Sequence, residues 1–303
     1  MELKDLEYFL AITRHGSLSE AARSLYLSQP ALTRSLKALE QEMGKQLVIR
    51  GSRRIELTED GFLFRRRAEE ILELAEKTKQ EIRVSENLIE GDISVCAGES
   101  KALHFLTQAA KRVMEVHPKV RLHISSGDGK DVQERLDQGL ADFGLMFPPF
   151  DEKKYSSLRI PFVDRWGLFM RKDSPLAEKP FVTAKDLVQL PLIAPRGFYE
   201  RQQIGQLVRL PQEDILVVAT YSLIFNGVLM VTDGMGYLLG LNNIVNLTGK
   251  TVQCFRPLEP AVMENMCVCW KKYAPMSRQA AALLEEMHRQ EESDVQFLFP
   301  PLS

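Results

Sequence analysis

Length, composition and charge describe an ordinary globular protein with room for two domains. The chain has 303 residues, of which 45% are hydrophobic and 26% charged, and its formal net charge of −2 gives no sign of a polyanion partner. It does not open on a basic segment followed by an apolar run, and it has no stretch of about eighteen apolar residues. We therefore expect a cytoplasmic protein with no membrane partner.

Two helices joined by a short turn are predicted for residues 19–25 and 28–42. In the second helix, Leu32, Leu36 and Leu39 recur at helical spacing and lie on one side, which we expect to be buried. Periodicity alone would also fit a surface helical hairpin whose polar face simply meets water.

The start of the second helix carries the polar residues that suggest a function. Ser28 is a suitable N-cap, because its hydroxyl can accept a hydrogen bond from a free N–H of the first turn. The turn of residues 26–28 has the length found in helix-turn-helix motifs, and the polar side chains suit base edges in the DNA major groove. The candidate DNA-reading residues on this helix are Ser28, Gln29, Pro30, Thr33, Arg34 and Lys37.

A β-hairpin is predicted after these helices, from the β-prone runs 46–49 and 55–57 on either side of a turn at Gly51. Beside a DNA-reading helix, such a hairpin would act as a wing. Its arginines can bind phosphate in a bidentate manner, so they would follow the DNA backbone or the minor groove. These candidate residues are Arg50, Arg53 and Arg54.

The first sixty residues resemble the DNA-binding domain of LysR-type transcription regulators. They contain, in order, F-x-A-x-x-x-x-G-S, then A-A-x-x-L-x-x-S-Q-P-A-[LV]-[ST]-R, then L-x-x-R-x-x-R-x-x-x-L-T-x-x-G. Val48-Ile49 stands where the family usually has a phenylalanine, and Asp60 where alanine is usual. The resemblance implies a winged helix-turn-helix and double-stranded DNA as the partner.

A long helix is predicted next, because residues 62–89 contain neither proline nor glycine. At about 1.5 Å per residue, roughly thirty residues form a rod about 45 Å long, more than one small domain can cover. The family resemblance implies that this helix pairs in an antiparallel manner with its copy in a homodimer or homotetramer. The predicted apolar stripe is Phe62, Ala68, Ile71, Leu72, Ala75, Thr78 and Ile82.

The remainder of the chain has alternating strand and helix patterns, which predict a mainly parallel sheet. Strands are expected at 93–97, 120–125, 141–146, 166–170, 192–194, 215–219, 237–239 and 265–270, helices at 103–115, 131–138, 223–232 and 276–287, and a loop at 173–177. This part resembles, more loosely, the effector-binding domain of the same family, with two α/β subdomains of periplasmic-binding-protein type joined by two crossing strands. The motifs S-P-L-A, P-R-G and D-G-M-G carry that resemblance.

The predicted fold class is therefore an α/β multidomain protein. It combines a winged helix-turn-helix domain (1–58), a linker helix for dimerisation (59–90) and a two-subdomain effector domain (91–303). Subdomain I would comprise 91–161 and 268–303, and subdomain II 162–267.

A small-molecule effector, acting as a co-inducer, is the expected ligand of the cleft between these subdomains, and no other cofactor is expected. Ligands of such sheets lie at the carboxyl ends of the strands, near helix N-termini. Basic residues there favour, mildly, an organic acid. The candidate effector-binding residues are Ser100, Lys101, Arg196, Gly197, Tyr199, Ser222 and Tyr237.

Two other classes of function are weighed against a regulator. An enzyme is disfavoured because the chain has no G-x-S-x-G elbow, P-loop, H-E-x-x-H or dinucleotide-binding glycine motif, so no catalytic residue is assigned. A ligand-independent architectural DNA-binding protein is the closer alternative.

The four cysteines suggest no metal site. Cys96, Cys254, Cys267 and Cys269 lie in apolar segments and are expected to be buried small hydrophobes without a zinc-binding set, while a redox role of Cys267 and Cys269 stays open. The sequence therefore predicts a sequence-specific transcription regulator tuned by an effector, with RNA polymerase as a further candidate partner.

Overall fold

The chain folds into two compact units. The computed structural model describes residues 1–50, 54–83, 88–248 and 251–292. The first unit spans Met1–Val84 and the second Ser85–Ser303, and each has its own hydrophobic core.

The first unit is a three-helix cluster followed by a β-hairpin and a long helix. Phe9, Ile12 and the three leucines of the third helix form the centre of its core, so the predicted burial of the leucines is confirmed. The elements are α1 (Leu3–His15), α2 (Leu18–Ser24), α3 (Gln29–Met43), β1 (Val48–Arg50), β2 (Ile55–Leu57) and α4 (Glu59–Arg83).

One local prediction in this unit is confirmed in part and another is wrong. Ser28 is the N-cap of α3, as predicted, but its hydroxyl makes no capping hydrogen bond. The first strand begins at Val48 rather than at residue 46, and the N–H groups of Leu47 (2.9 Å) and Val48 (3.2 Å) donate to the Glu40 carboxylate. The hairpin itself is antiparallel, with Val48 opposite Leu57.

Helix α4 begins as predicted, where the Gly61 N–H donates to the Thr58 hydroxyl (2.9 Å). A side chain at Gly61 would collide with the Leu47 carbonyl oxygen, which explains the glycine. The Phe64 ring packs edge-on against Phe9 with centroids 5.0 Å apart. The first turns of α4 are thus fixed to the core of their own unit.

The apolar stripe predicted on α4 needs correction. Ala68 is buried against the core of its own unit, so it is not available to a partner. The exposed apolar side chains include Leu63 and Leu74, which the sequence argument left out. Together with Ile71 and Ile82 they follow one another along one side of the helix.

The second unit is built on a mixed sheet formed by strands β3 to β12. Their order is β4-β3-β5-β12-β6-β10-β8-β9, with β11 paired to β6 and β7 paired to β11. The strands are β3 (Gly91–Ala97), β4 (Val120–Ser126), β5 (Phe143–Met146), β6 (Tyr155–Arg171), β7 (Val182–Thr183), β8 (Pro191–Pro195), β9 (Leu216–Tyr221), β10 (Tyr237–Leu241), β11 (Gln253–Glu259) and β12 (Met263–Lys271).

Helices cover this sheet and divide it into two lobes with separate cores. We call β3, β4 and β5 with α5, α6 and α11 the first lobe, and β8, β9 and β10 with α7 to α10 the second lobe. The helices are α5 (Leu103–Val116), α6 (Gly129–Asp137), α7 (Ala184–Leu187), α8 (Arg196–Glu200), α9 (Ile204–Val208), α10 (Ile224–Thr232) and α11 (Arg278–Glu292), with short 3-10 helices at Pro175–Glu178 and Gln212–Asp214.

Strands are parallel within each lobe, as predicted, and antiparallel where the lobes meet. The segment expected as a strand at 166–170 is the end of β6, a continuous strand of 17 residues that pairs with β12 in the first lobe and with β10 in the second. The loop expected at 173–177 contains a 3-10 turn. The remaining predicted elements are present with ends shifted by a few residues.

Leu36→Ala should destabilise the first unit by about 2–5 kcal/mol, because it leaves a cavity in a core where the native side chain is almost fully buried. Hydrogen exchange of the α3 amides in the full-length protein measures this loss. Gln41→Ala changes an exposed residue of the same helix and is the control. Equal protection in both variants would contradict the packing described here.

Candidate DNA-binding surface and effector cleft

The outer side of α3 presents the polar side chains that the sequence singled out. Ser28, Gln29, Pro30, Arg34 and Lys37 are exposed, and Thr33 is partly exposed. Helix α3 has no acidic residue in its first turn, so its N-terminal end is open to an anion such as a phosphate.

One hydrogen bond organises this polar side. The Gln29 side-chain amide donates to the Thr33 hydroxyl (2.9 Å), which aligns the two side chains along successive turns. Because Leu32 and Leu36 are buried on the opposite side, the helix cannot rotate about its axis without exposing them. The direction of the polar side is therefore fixed by the core.

The wing is described only in part. Arg54 is exposed at the start of the returning chain, next to β2. The backbone of Arg50 belongs to β1, but its side chain and the whole of Arg53 lie outside the described residues.

A cavity of about 910 Å³ lies between the two lobes of the second unit, at the carboxyl ends of the parallel strands. Both lobes and the strand β12 contribute to its wall. The residues that line it include Glu99, Asp128, Phe147, Trp166, Arg196, Gly197, Phe198, Ser222 and Glu264.

Three of the seven predicted effector-binding residues line this cavity: Arg196, Gly197 and Ser222. The other four do not. Ser100 points its hydroxyl at the Asp164 carboxylate (2.6 Å), and the Tyr237 hydroxyl hydrogen-bonds to Ser174 (3.0 Å). Lys101 and Tyr199 are also absent from the cavity wall, and Tyr199 is an exposed residue of α8.

Two polar contacts join the lobes across the cavity. The Ile224 N–H, at the first turn of α10, donates to the Glu99 carboxylate. On the other side, the Arg196 guanidinium binds the Asp128 carboxylate (3.0 Å). Neither acid was among the seven effector-binding candidates, although each follows the glycine that comes directly after a strand of the first lobe.

The electrostatics of Asp128 are those of an ion pair at a helix start. Burial opposes its ionisation, but Arg196 and the N–H groups of Lys130 and Asp131 outweigh that effect and hold the pKa of Asp128 below its usual range. Asp128 thus caps α6 and binds the second lobe at the same time.

Asp164 lies on β6, where the strand passes from one lobe to the other. Its side chain is 1% exposed, and burial raises its pKa to about 6, against the opposing influence of the Ser100 hydroxyl and the Lys101 charge. Among the described residues, one carboxylate oxygen, Oδ1, has no hydrogen-bond partner. No sequence pattern marks this residue, because a lone acid in a strand is usually exposed.

Trp166 on β6 and Glu264 on β12 lie in the part of the cavity wall that these two crossing strands contribute. Burial raises the pKa of Glu264, although the neighbouring Trp166 indole favours the charged form. Trp166 packs edge-on against Phe198, with ring centroids 5.1 Å apart. An acid and an aromatic wall thus lie side by side.

The four cysteines lie in buried or partly buried positions. Within the described residues, no group of three His, Cys, Asp or Glu side chains could hold a metal ion. Cys96, Cys267 and Cys269 are buried as expected, whereas Cys254 is only partly buried. Burial raises the pKa of all four thiols, which disfavours the reactive thiolate form.

A winged helix-turn-helix unit followed by a two-lobed α/β unit with a large cleft defines a class: DNA-binding proteins that carry a domain for a small ligand. In the described part of the chain, no helix is both long and apolar enough to cross a membrane.

Comparison with known proteins agrees with this class. Residues 3–62 match the family "Bacterial regulatory helix-turn-helix protein, lysR family", and residues 86–292 match "LysR substrate binding domain". The HTH-type transcriptional regulator YvbU of Bacillus subtilis is 26% identical over 88% of this chain and 90% of its own length. The HTH-type transcriptional regulator BudR of Raoultella terrigena is 29% identical over 90% of this chain and 96% of its own length.

A solved structure shares the fold. Full-length CbnR in complex with its target DNA aligns with a TM-score of 0.72 and 22% identity, covering 95% of this chain and 99% of that chain. The chain therefore belongs to the LysR family: it is a DNA-binding transcription regulator with an effector-binding domain, and not an enzyme. The family resemblance of the sequence is confirmed.

The Asp164→Asn variant should gain stability relative to the native protein as the pH rises from about 4 to about 6, because only the native protein loses stability there. The folded protein holds the Asp164 proton up to about pH 6, whereas the unfolded chain releases it near pH 4, so the native side chain costs stability as the pH rises through this window. The difference should reach about 3 kcal/mol and then stay constant. Urea unfolding of both proteins across this range measures it, and a difference independent of pH would contradict the prediction.

Proposed function

We propose that this regulator binds a two-fold symmetric DNA site as a homo-oligomer, and that a small molecule in the cavity between the lobes tunes this binding. The single observation that supports the DNA-reading role is the polar side of α3, held outward by the burial of its leucines. As a regulator of transcription it would act in the cytoplasm, and RNA polymerase is a candidate partner.

In this proposal, α3 enters the major groove and its first turns read base edges. Arg34 can bind a guanine through two hydrogen bonds, and the Gln29 amide suits an adenine. Lys37 is well suited to a phosphate, as are the wing arginines Arg50, Arg53 and Arg54. Ser28, Pro30 and Thr33 complete the contact surface.

Pairing of α4 between subunits would bring two reading helices to one DNA site. The helix has 25 described residues and is about 37 Å long at about 1.5 Å per residue. The side chains of Leu63, Ile71, Leu74 and Ile82 are exposed along one side of it, so a second helix would bury them. A dimer is the minimum assembly, and a tetramer would need a further interface.

The effector would bind in the cavity against Arg196, Gly197 and Ser222, together with Glu99, Trp166 and Glu264. Such a ligand changes the contacts between the lobes and so shifts the population of lobe arrangements. Ser100, Lys101, Tyr199 and Tyr237 stay predicted contributors, with Ser100 acting through Asp164. A purely architectural DNA-binding protein would have no use for a cavity of this size.

Arg34→Ala should strongly weaken specific DNA binding while leaving the fold intact, because Arg34 is exposed and makes no contribution to the core. The loss of a bidentate base contact should weaken specific binding by about 1–3 kcal/mol per subunit, or roughly five- to 150-fold. A gel shift with the promoter region next to its own gene measures this.

The matched control is Arg121→Ala, which removes an exposed arginine of the second unit. Circular dichroism spectra should be the same for both variants and the native protein. If the Arg34 variant binds the promoter DNA as tightly as the native protein does, α3 is not the reading helix.

Ile71→Glu combined with Leu74→Glu should convert the oligomer into smaller species, because carboxylates would be forced into the apolar contact between α4 helices. Size-exclusion chromatography with light scattering measures the mass. Glu69→Arg, on the opposite side of α4, should leave the mass unchanged. An unchanged mass in the double variant would exclude pairing through this side of the helix.

A further inference from the structure

All the partly buried charged residues that line the cavity are acids. Among the described residues of its wall, Glu99, Asp128 and Glu264 are partly buried, whereas the bases Lys130, Arg196, Arg201 and Arg209 and the acid Glu200 are exposed. The mouth of the cavity therefore has an excess of positive charge, and its interior carries the negative charge.

Two of the interior acids have no cationic partner. In the described part of the chain, Glu99 accepts a hydrogen bond only from the backbone of Ile224, and Glu264 is adjacent to the Trp166 indole. Asp128 differs, because Arg196 neutralises it. A buried or half-buried carboxylate without a counterion is costly, so Glu99 and Glu264 favour a ligand that brings a positive charge.

A second observation concerns the same acid. The Trp166 side chain is 3% exposed and lines the cavity, and among the described residues its indole N–H meets no acceptor with hydrogen-bond geometry, although Glu264 is its neighbour. Buried polar groups nearly always have a partner. A protonated amine offers no acceptor to this N–H, but it would keep Glu264 ionised, and the carboxylate could then accept a hydrogen bond from the indole.

The crossing strands place these groups together. Glu264 on β12 lies directly opposite Asp164 on β6, and Trp166 follows Asp164 by two residues, so all three residues share one face of the sheet.

The walls around this acidic floor are apolar and aromatic. Phe147, Trp166 and Phe198 line the cavity, and the two latter rings pack edge-on. Aromatic faces bind apolar groups and also attract organic cations.

We propose that the effector is a small organic amine whose protonated nitrogen binds Glu264, with Glu99 adding negative charge and with Phe147, Trp166 and Phe198 holding its apolar body. This inference rests on the proposed function, since it assigns a chemical class to the ligand of the same cleft. It replaces the organic acid that the sequence mildly favoured. An ionised Glu264 can accept hydrogen bonds from the amine and from the Trp166 indole together, because a carboxylate has about four lone-pair sites.

An anionic ligand would find little support in the interior. Its carboxylate would lie beside Glu99 and Glu264, and the bases at the mouth are partly engaged. Arg196 is bound to Asp128, and the Arg201 side chain donates to Gln203 (2.8 Å).

The test uses three probes that share a phenyl ring and differ in their polar group: 2-phenylethylamine, 2-phenylethanol and 3-phenylpropanoate. Thermal unfolding of the full-length protein is followed with each probe at millimolar concentration, and calorimetry gives the dissociation constants. We expect the amine to raise the melting temperature and to bind at least about tenfold more tightly than either of the others, because it alone forms a charge-assisted hydrogen bond.

Variants locate the binding site. Glu264→Gln keeps the shape of the side chain and should weaken amine binding by about tenfold, while leaving the weak binding of 2-phenylethanol unchanged. Glu99→Gln keeps an acceptor for the Ile224 N–H and should weaken the amine by a smaller factor. Glu285→Gln, an exposed residue of α11 away from the cavity wall, is the control and should bind like the native protein.

Each contrary result has a definite meaning. Tighter binding of 3-phenylpropanoate, or no binding of the amine, would overturn the ligand class. Amine binding that Glu264→Gln leaves unchanged would overturn the site. Amine binding at the site without any effect on the promoter gel shift would instead contradict the proposed function, so the two failures are distinguishable.

Discussion

The burial of one side of α3 is the constraint on which the function of the chain depends. Leu32, Leu36 and Leu39 pack into a core made with α1 and α2, and this fixes the rotation of the helix about its own axis. The polar residues on the other side are therefore directed outward without needing any contact of their own. The hairpin and α4 extend this core, with Phe64 packing on Phe9, so the start of the long helix is held in the same rigid body.

In the second unit, the pairing of β6 with β12 has the corresponding role. Because both strands belong to the sheet of the first lobe and β6 continues into the second, the lobes are joined by extended chain rather than by a loose linker. The cavity lies at the carboxyl ends of parallel strands in both lobes, where side chains that follow the strands converge. Trp166 and Glu264, which line the cavity, lie on β6 and β12, so part of the cavity wall belongs to the segment that connects the lobes.

Sequence reasoning predicted the elements with strong periodicity and missed those without it. Helix α3 and strand β2 have the predicted ends to within a residue, because their apolar spacing and capping residues are clear. The helices α8 and α9 have five residues each, too few for a helical period, and were not predicted. A cavity was predicted between the two subdomains, where the structure has one, but only three of the seven chosen residues line it. Ser100 was chosen and its neighbour Glu99 was not, because tertiary packing decides which of two adjacent side chains faces a cavity.

The two polar contacts between the lobes have a consequence for the dose at which the regulator responds. Glu99 with Ile224 and Arg196 with Asp128 already join the lobes when no small molecule is bound. Any ligand that requires a different lobe arrangement must first compensate for these contacts. Its apparent affinity is then its intrinsic affinity multiplied by the fraction of molecules in that arrangement. The concentration threshold of the response thus depends on the strength of these two contacts as well as on the contacts that the ligand itself makes.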